Sequence, residues 1–311
     1  MSHHSTPSFP SRTPRVNYLP KLRADLEKVA ASRGNVHERK VALLVRWDND
    51  TTGADQDVKT MGEILQRFGI QCTNLLLDPN DEDPSWTLVH KIHTMITECR
   101  ASKVHSLFVF YYVGHGAIGD NGSLYLVEGG HGISWTTIRG HFVYGVHQEK
   151  QRAAMRLVDV LCVLDCCYSG AATIAGETAG NVAQVLAACG PKERINTRGQ
   201  EVSFTTRLFR AVQHFEGQAS VSTAALFQEV QRKRQEQPSL PNAVLETLVG
   251  TQPIRLAFDN HASSSRIPPP LVHVNKKDVL VKLTLHGRSH MPGHSDVFES
   301  FNKRSKIYHP I

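Results

Sequence analysis

No run of eighteen apolar residues occurs anywhere in this 311-residue chain, so no segment is long enough to cross a bilayer as a helix. No apolar leader segment follows Met1 either, and the expectation is a cytoplasmic protein. Cysteine is scarce: Cys72, Cys99, Cys162, Cys166, Cys167 and Cys189 are too few for a disulfide framework in a chain of this size, and their thiols are expected to be reduced. The cluster at Cys162, Cys166 and Cys167 lacks a second CxxC or an HxxxH partner, which argues against zinc, so no metal and no cofactor is expected. Also missing is any basic stripe interleaved with aromatics. The formal charge of +6 arises from 35 Lys+Arg against 29 Asp+Glu, but the basic residues are dispersed, gathering mainly near Arg12 to Arg39 and at the tail. Nucleic acid is therefore not an expected partner.

What is present is enough to fold. A hydrophobic content of 40% in 311 residues supports one large α/β domain or two small ones. Residues 1–20 are rich in Ser, Pro, Arg and His and read as a disordered arm, followed by a short helix over 21–31 carrying Leu22, Leu26 and Val29. From Val41 the pattern alternates between strand and helix. VALLV (Val41 to Val45) is a buried strand, Val58, Met61, Leu65 and Phe68 lie on one helical stripe, Cys72 to Leu77 is a strand, and Trp86 to Cys99 is an amphipathic helix. Ser106 to Val113 is the most hydrophobic strand. Ser123 to Val127 suits a hairpin arm, 133–142 a helix or loop, and Leu157 to Leu164 another strand buried on both faces. The apolar stretch Val182 to Ala188 fits strand or helix equally. Ser203 is the expected N-cap of a helix with Phe204, Leu208, Val212 and Phe215 on one face, and Thr223 that of a second helix to Arg234. Extended pieces follow around 243–248 and 254–258, then a linker from 261 and one further strand at 279–285. Alternation of this kind predicts a mainly parallel sheet flanked by helices, with domain limits at 1–39, 40–258 and 259–311.

Two strands run directly into residues that carry chemistry. Ser106 to Val113 ends in Gly114, His115, Gly116, and Leu157 to Leu164 ends in Asp165, Cys166, Cys167, Tyr168, Ser169, Gly170. In open α/β sheets ligands sit outside the carboxyl ends of the strands. Gly114, Gly116 and Gly119 spell a dinucleotide fingerprint, but Asp120, Asn121 and Gly122 continue it as a turn where the fingerprint needs a helix. A thiol beside an imidazole is the better reading, since histidine can hold the thiolate and later protonate a leaving amine. Glycines beside each allow backbone N–H groups to approach a carbonyl oxygen.

YYVGHG (Tyr111 to Gly116) and DCCYSG (Asp165 to Gly170) resemble the two catalytic signatures of the caspase and metacaspase superfamily of cysteine peptidases, with the histidine about fifty residues before the cysteine. TGADQDVKTMGEILQRFGI, from Thr52 to Ile70, is similar to the segment after the first strand of those proteins. The resemblance implies a caspase-like α/β fold over Lys40 to Phe258. It makes His115 the general base and acid, Cys167 the nucleophile because the family pattern is D-x-C, and Cys166 structural. Gly116 and Cys167 would supply oxyanion N–H groups. It further implies cleavage of protein or peptide substrates, an upstream activating partner, and a role in regulated cell death or immune-like signalling.

Specificity follows from the same resemblance. Caspases place an arginine just before the TGAD-like segment, where this chain has Thr51, and a glutamine where it has Asp165. Metacaspases cleave after Arg or Lys through acids matching Asp57 and Asp165, and two carboxylates attract a guanidinium or ammonium. Cleavage after Arg or Lys is the expectation, although Asp57 also suits the first turn of a helix, where it stabilises the dipole. The competing readings are a non-catalytic caspase-like binding module and an Asp-specific protease. Ala54, Val113 and Tyr168 replace the metacaspase cysteine, serine and histidine, and no acidic calcium-binding run lies between Gly129 and His147. The resemblance is thus closer to fungal-type caspase-domain proteins. Lys192, Arg194 and Arg198, after the nucleophile, are candidate self-cleavage positions.

Overall fold

The computed structural model describes residues 37–143, 157–173, 181–194, 203–236, 239–250 and 252–259. The expected amino-terminal arm and helix, Arg198, the linker and the strand at 279–285 lie outside them. In chain order the first elements are β1 (Arg39–Trp47), α1 (Ala54–Arg67), β2 (Gln71–Leu77), α2 (Pro84–Ala101) and β3 (Ser106–Val113). A small meander follows as β4 (His115–Ile118), β5 (Leu124–Glu128) and β6 (His131–Ser134), leading into α3 (Trp135–Val143). The second half contains β7 (Val158–Asp165), a 3₁₀ turn at Ser169–Thr173, β8 (Ala183–Ala187) and α4 (Phe204–His214). It closes with β9 (Ser220–Ser222), α5 (Thr223–Glu236), β10 (Val244–Val249) and β11 (Arg255–Ala257).

Six strands form the central sheet in the order β10-β8-β7-β3-β1-β2. Every neighbouring pair is parallel except β10 with β8. The two central strands, β3 and β7, are buried at every residue, as an unbroken apolar run requires when helices cover both faces. Period two decides which layer each side chain joins. Val41, Leu43, Val45 and Trp47 of β1 pack with Leu88, Ile92 and Ile96 of α2 and with Phe142 of α3. Ala42 and Leu44 face the other way, toward Met61 and Leu65 of α1, Phe204 and Leu208 of α4, and Val230 of α5.

Several local expectations shift. The ambiguous stretch at 182–188 is a strand, since all five residues of β8 are buried between β7 and β10. β7 does not stop before Asp165 but includes it, paired with Val113. His115 leads straight into β4, which pairs antiparallel with β5, so the residues after it are not a free turn. Ser203 caps α4 as expected, its Oγ accepting from Thr206 N. At α5 the cap is Ser222, whose Oγ accepts from Ala225 N, because the Thr223 hydroxyl donates instead to Gln184.

Candidate active site

The register of β3 against β7 sets the site. Val113 pairs with Asp165, so the two strands leave the sheet at one level, and His115 and Cys167 each stand two residues further on. Adjacent strands lie about 4.8 Å apart, and the Gly114 N–H still reaches the Asp165 carbonyl at 3.3 Å. Gly116 then lies flat against the nucleophile loop. A Cβ on it would fall 2.3 Å from the Cys167 carbonyl oxygen and 3.0 Å from Cys166 Sγ, so only glycine permits this approach. Gly170 is similarly close to the backbone of Cys189, Gly190 and Pro191.

The adjacent cysteines differ in environment. Cys166 is 2% exposed and its thiol is pushed well above its ordinary value by burial. Cys167 is half-buried, within reach of solvent. Tyr168, directly after it, has φ of 58°, an uncommon conformation for a bulky side chain. Its N–H donates to the Glu193 carbonyl at 2.9 Å, which holds that turn in place.

His115 is accompanied by Thr51 and by two acids that the sequence did not single out. Its Nε2 lies 3.4 Å from Thr51 Oγ1 and 4.0 Å from Glu128 Oε2. Asp50 completes the corner, and one carboxylate oxygen of each acid, Asp50 Oδ2 and Glu128 Oε2, is buried without a hydrogen-bond partner among the described residues. Asp50 is held by its other oxygen, which accepts from Thr52 N at 2.8 Å and Thr52 Oγ1 at 2.6 Å. The Tyr112 hydroxyl donates to the His115 carbonyl at 2.8 Å and fixes the backbone. Glu128 arrives through the β4–β5 hairpin, in which His115 pairs with Val127. The Gly129-Gly130 turn after it was the available sequence signal.

Asp57 and Asp165 meet at the amino end of α4. Asp165 Oδ2 accepts from Thr205 N at 3.1 Å and Thr205 Oγ1 at 2.7 Å, while Asp57 Oδ1 accepts from Ser203 Oγ at 2.6 Å. Burial, followed by the Asp57 charge, pushes Asp165 up to about 6, with the Thr205 hydrogen bonds and Arg207 opposing. Burial also raises Asp57. Tyr111 joins the cluster through a 2.8 Å hydrogen bond to Thr205 Oγ1. Arg207 is only 2% exposed, donates to the Pro241 carbonyl and lies over the Phe204 ring. Sequence reading missed Thr205 and Arg207, which are ordinary helix residues until the chain folds back on β7.

Lys192 and Arg194 are exposed on the turn beyond β8, and Arg194 donates to the Tyr168 hydroxyl and stands over its ring. Glu193 between them is anchored by its carboxylate to the N–H groups of Gly190 and Asn242. Lys192 and Arg194, with Ala117, Ile118, Ala171 and Pro191, line an open groove of about 740 Å³ beside Tyr168.

The family model described as the caspase domain matches residues 39–278, most of the chain. No curated protein shows significant similarity to the sequence. Among solved structures, a structural-genomics protein from Geobacter sulfurreducens aligns over 69% of this chain and 95% of its own, at 13% identity with a TM-score of 0.47. On the family match the chain belongs to the caspase-domain family of cysteine-type peptidases, as an α/β protein with a mainly parallel six-stranded sheet.

Proposed function

We propose that the protein is an endopeptidase that cuts protein chains after Arg or Lys with Cys167 as nucleophile and His115 as its base and acid. The observation that carries the reading is the Val113–Asp165 pairing, from which His115 and Cys167 each follow by two residues at the same end of the sheet. His115 takes the thiol proton, and the sulfur attacks the scissile carbonyl carbon to give a tetrahedral oxyanion. The N–H groups of Gly116 and Cys167 are the donors for that oxyanion. Collapse breaks the C–N bond, the imidazolium protonates the departing amine, and water, deprotonated by His115, hydrolyses the thioester.

The acidic corner of Asp50 and Glu128 gives the imidazolium a counter-charge on its Nε2 side and leaves Nδ1 for the thiol. Asp57 and Asp165 repel one another, and a guanidinium or ammonium between them would relieve that repulsion. The groove beside Tyr168 suits the substrate residue after the cut. Departures at Ala54, Val113 and Tyr168 support a position near the fungal-type members, and a role in regulated cell death is the reading that this kinship favours. Self-cleavage at Lys192 or Arg194 requires the turn held by Glu193 to open first. Arg198 lies outside the described residues.

An arginine-directed peptidyl chloromethyl ketone tests the assignment. Intact and peptide mass measurements are expected to find one adduct on Cys167, and an aspartate-directed reagent is expected to leave it unmodified. Labelling of Cys166, equal labelling by both reagents, or none at all would count against the reading; the last outcome is that of a non-catalytic binding module.

A further inference from the structure

At the opposite end of the sheet, about 26 Å from the site for an eight-residue strand, three metal-competent side chains converge. They come from positions far apart in the chain. His37 precedes β1, His105 precedes β3, and Asp159 is the second residue of β7. His37 Nε2 lies 2.9 Å and His105 Nε2 3.7 Å from the same oxygen, Asp159 Oδ2. The three ligand atoms all lie within 4.8 Å of one another, and the two imidazoles are stacked with centroids 4.9 Å apart and planes 16° from parallel.

We infer that His37, His105 and Asp159 form a binding site for a divalent transition-metal ion, zinc being the best match. Ligand bonds of about 2.0–2.1 Å place neighbouring donors on a tetrahedral zinc about 3.3 Å apart, and the observed 2.9 and 3.7 Å bracket that spacing. Two imidazoles with one carboxylate is a donor set suited to zinc, copper, nickel or iron and not to calcium or magnesium, which favour oxygen. The second carboxylate oxygen is already committed: Asp159 Oδ1 accepts from Val182 N at 2.7 Å, which aims Oδ2 at the two histidines in the manner of an outer-shell contact. Access is available on one side. His37 and Asp159 side chains are 5% and 10% exposed, whereas His105 is 24% exposed and open to an entering ion. Water completes the coordination. An ion there ties together the starts of β1, β3 and β7, and through Val182 that of β8, at the end of the sheet away from the peptidase chemistry.

Sulfur takes no part in this site, so the spacing of Cys162, Cys166 and Cys167 has no bearing on it. The test uses the full chain carrying Cys167→Ala, stripped with chelator and titrated with Co²⁺, then Zn²⁺. We expect uptake of one equivalent of Co²⁺ with d–d absorption and no thiolate charge-transfer band, displacement by Zn²⁺, and a thermal midpoint that rises with zinc concentration. Adding His105→Ala, at the most exposed ligand, is expected to abolish both the uptake and the midpoint rise while the metal-free midpoint changes little. Adding His115→Ala, which breaks the separate corner of Asp50, His115 and Glu128, is expected to leave both intact. An equivalent that survives His105→Ala, one lost with His115→Ala, or a folded parent that takes up no metal overturns the proposal and leaves a hydrogen-bonded histidine–carboxylate cluster.

Discussion

At the scale of single residues, environment separates side chains that the sequence lists as equals. Cys166→Ala should retain most activity, since its thiol is buried with its pKa well above the ordinary value, whereas Cys167→Ala should abolish peptide hydrolysis; rate measurements on both purified variants check this. Asp165 gives a pH prediction. Its folded value of about 6 exceeds the ordinary 3.8, so the native state binds this proton more tightly than the unfolded chain does. The stability that this group contributes is present below 3.8 and lost as the pH rises through about 6. Binding of a basic substrate residue runs the other way, because it needs the carboxylate. KM for an Arg peptide should therefore climb as the pH falls through about 6, and Asp165→Asn should flatten that dependence. The same variant should lower kcat/KM for Arg peptides about ten- to a hundredfold, from the roughly 1.5–3 kcal/mol of a charged hydrogen bond. Glu128→Gln should leave KM nearly unchanged and reduce kcat about tenfold. His115, Cys167 and Asp165 stand in motifs that continue strands, and Asp57 in the segment after β1, so the linear sequence displays them. Asp50, Glu128, Thr205 and Arg207 are not displayed in this way, because their proximity exists only once the end of β1, β5 and the start of α4 gather at the ends of β3 and β7.

At the scale of elements, the apolar runs of β3 and β7 were readable because burial on both faces leaves no polar position. The run that became β8 was not, since five buried residues lack a period that separates strand from helix; its place between β7 and β10 decides. β4 escaped notice because it is four residues long and contains glycine, which strands disfavour, yet Gly116 is what lets the strand lie on Cys167. Gly116→Ala should push the two loops apart, and a displacement of about 1 Å costs on the order of a hundredfold in rate. Circular dichroism should find the variant folded while kcat/KM collapses. Phe110→Ala, in the centre of β3, should instead act on stability, with a loss of about 3–5 kcal/mol in denaturant unfolding.

At the scale of the whole molecule, one sheet presents different chemistry at its two ends: thiol, imidazole and carboxylates where the strands finish, and two histidines with a carboxylate where they begin. The first end follows from motifs that immediately continue strands, so the linear sequence displays it. The second is assembled from residues separated by 68 and 54 positions, which only the parallel register of β1, β3 and β7 brings together. The finishing end of the sheet is proposed to cut chains after a basic residue. Matched fluorogenic peptides ending in Arg, Lys or Asp, incubated with and without calcium, test it most directly. Hydrolysis of the Arg and Lys peptides is expected at kcat/KM at least tenfold above the Asp peptide and is expected to be absent in Cys167→Ala; preferential cleavage of the Asp peptide, or turnover that survives Cys167→Ala, would contradict cleavage after basic residues by Cys167.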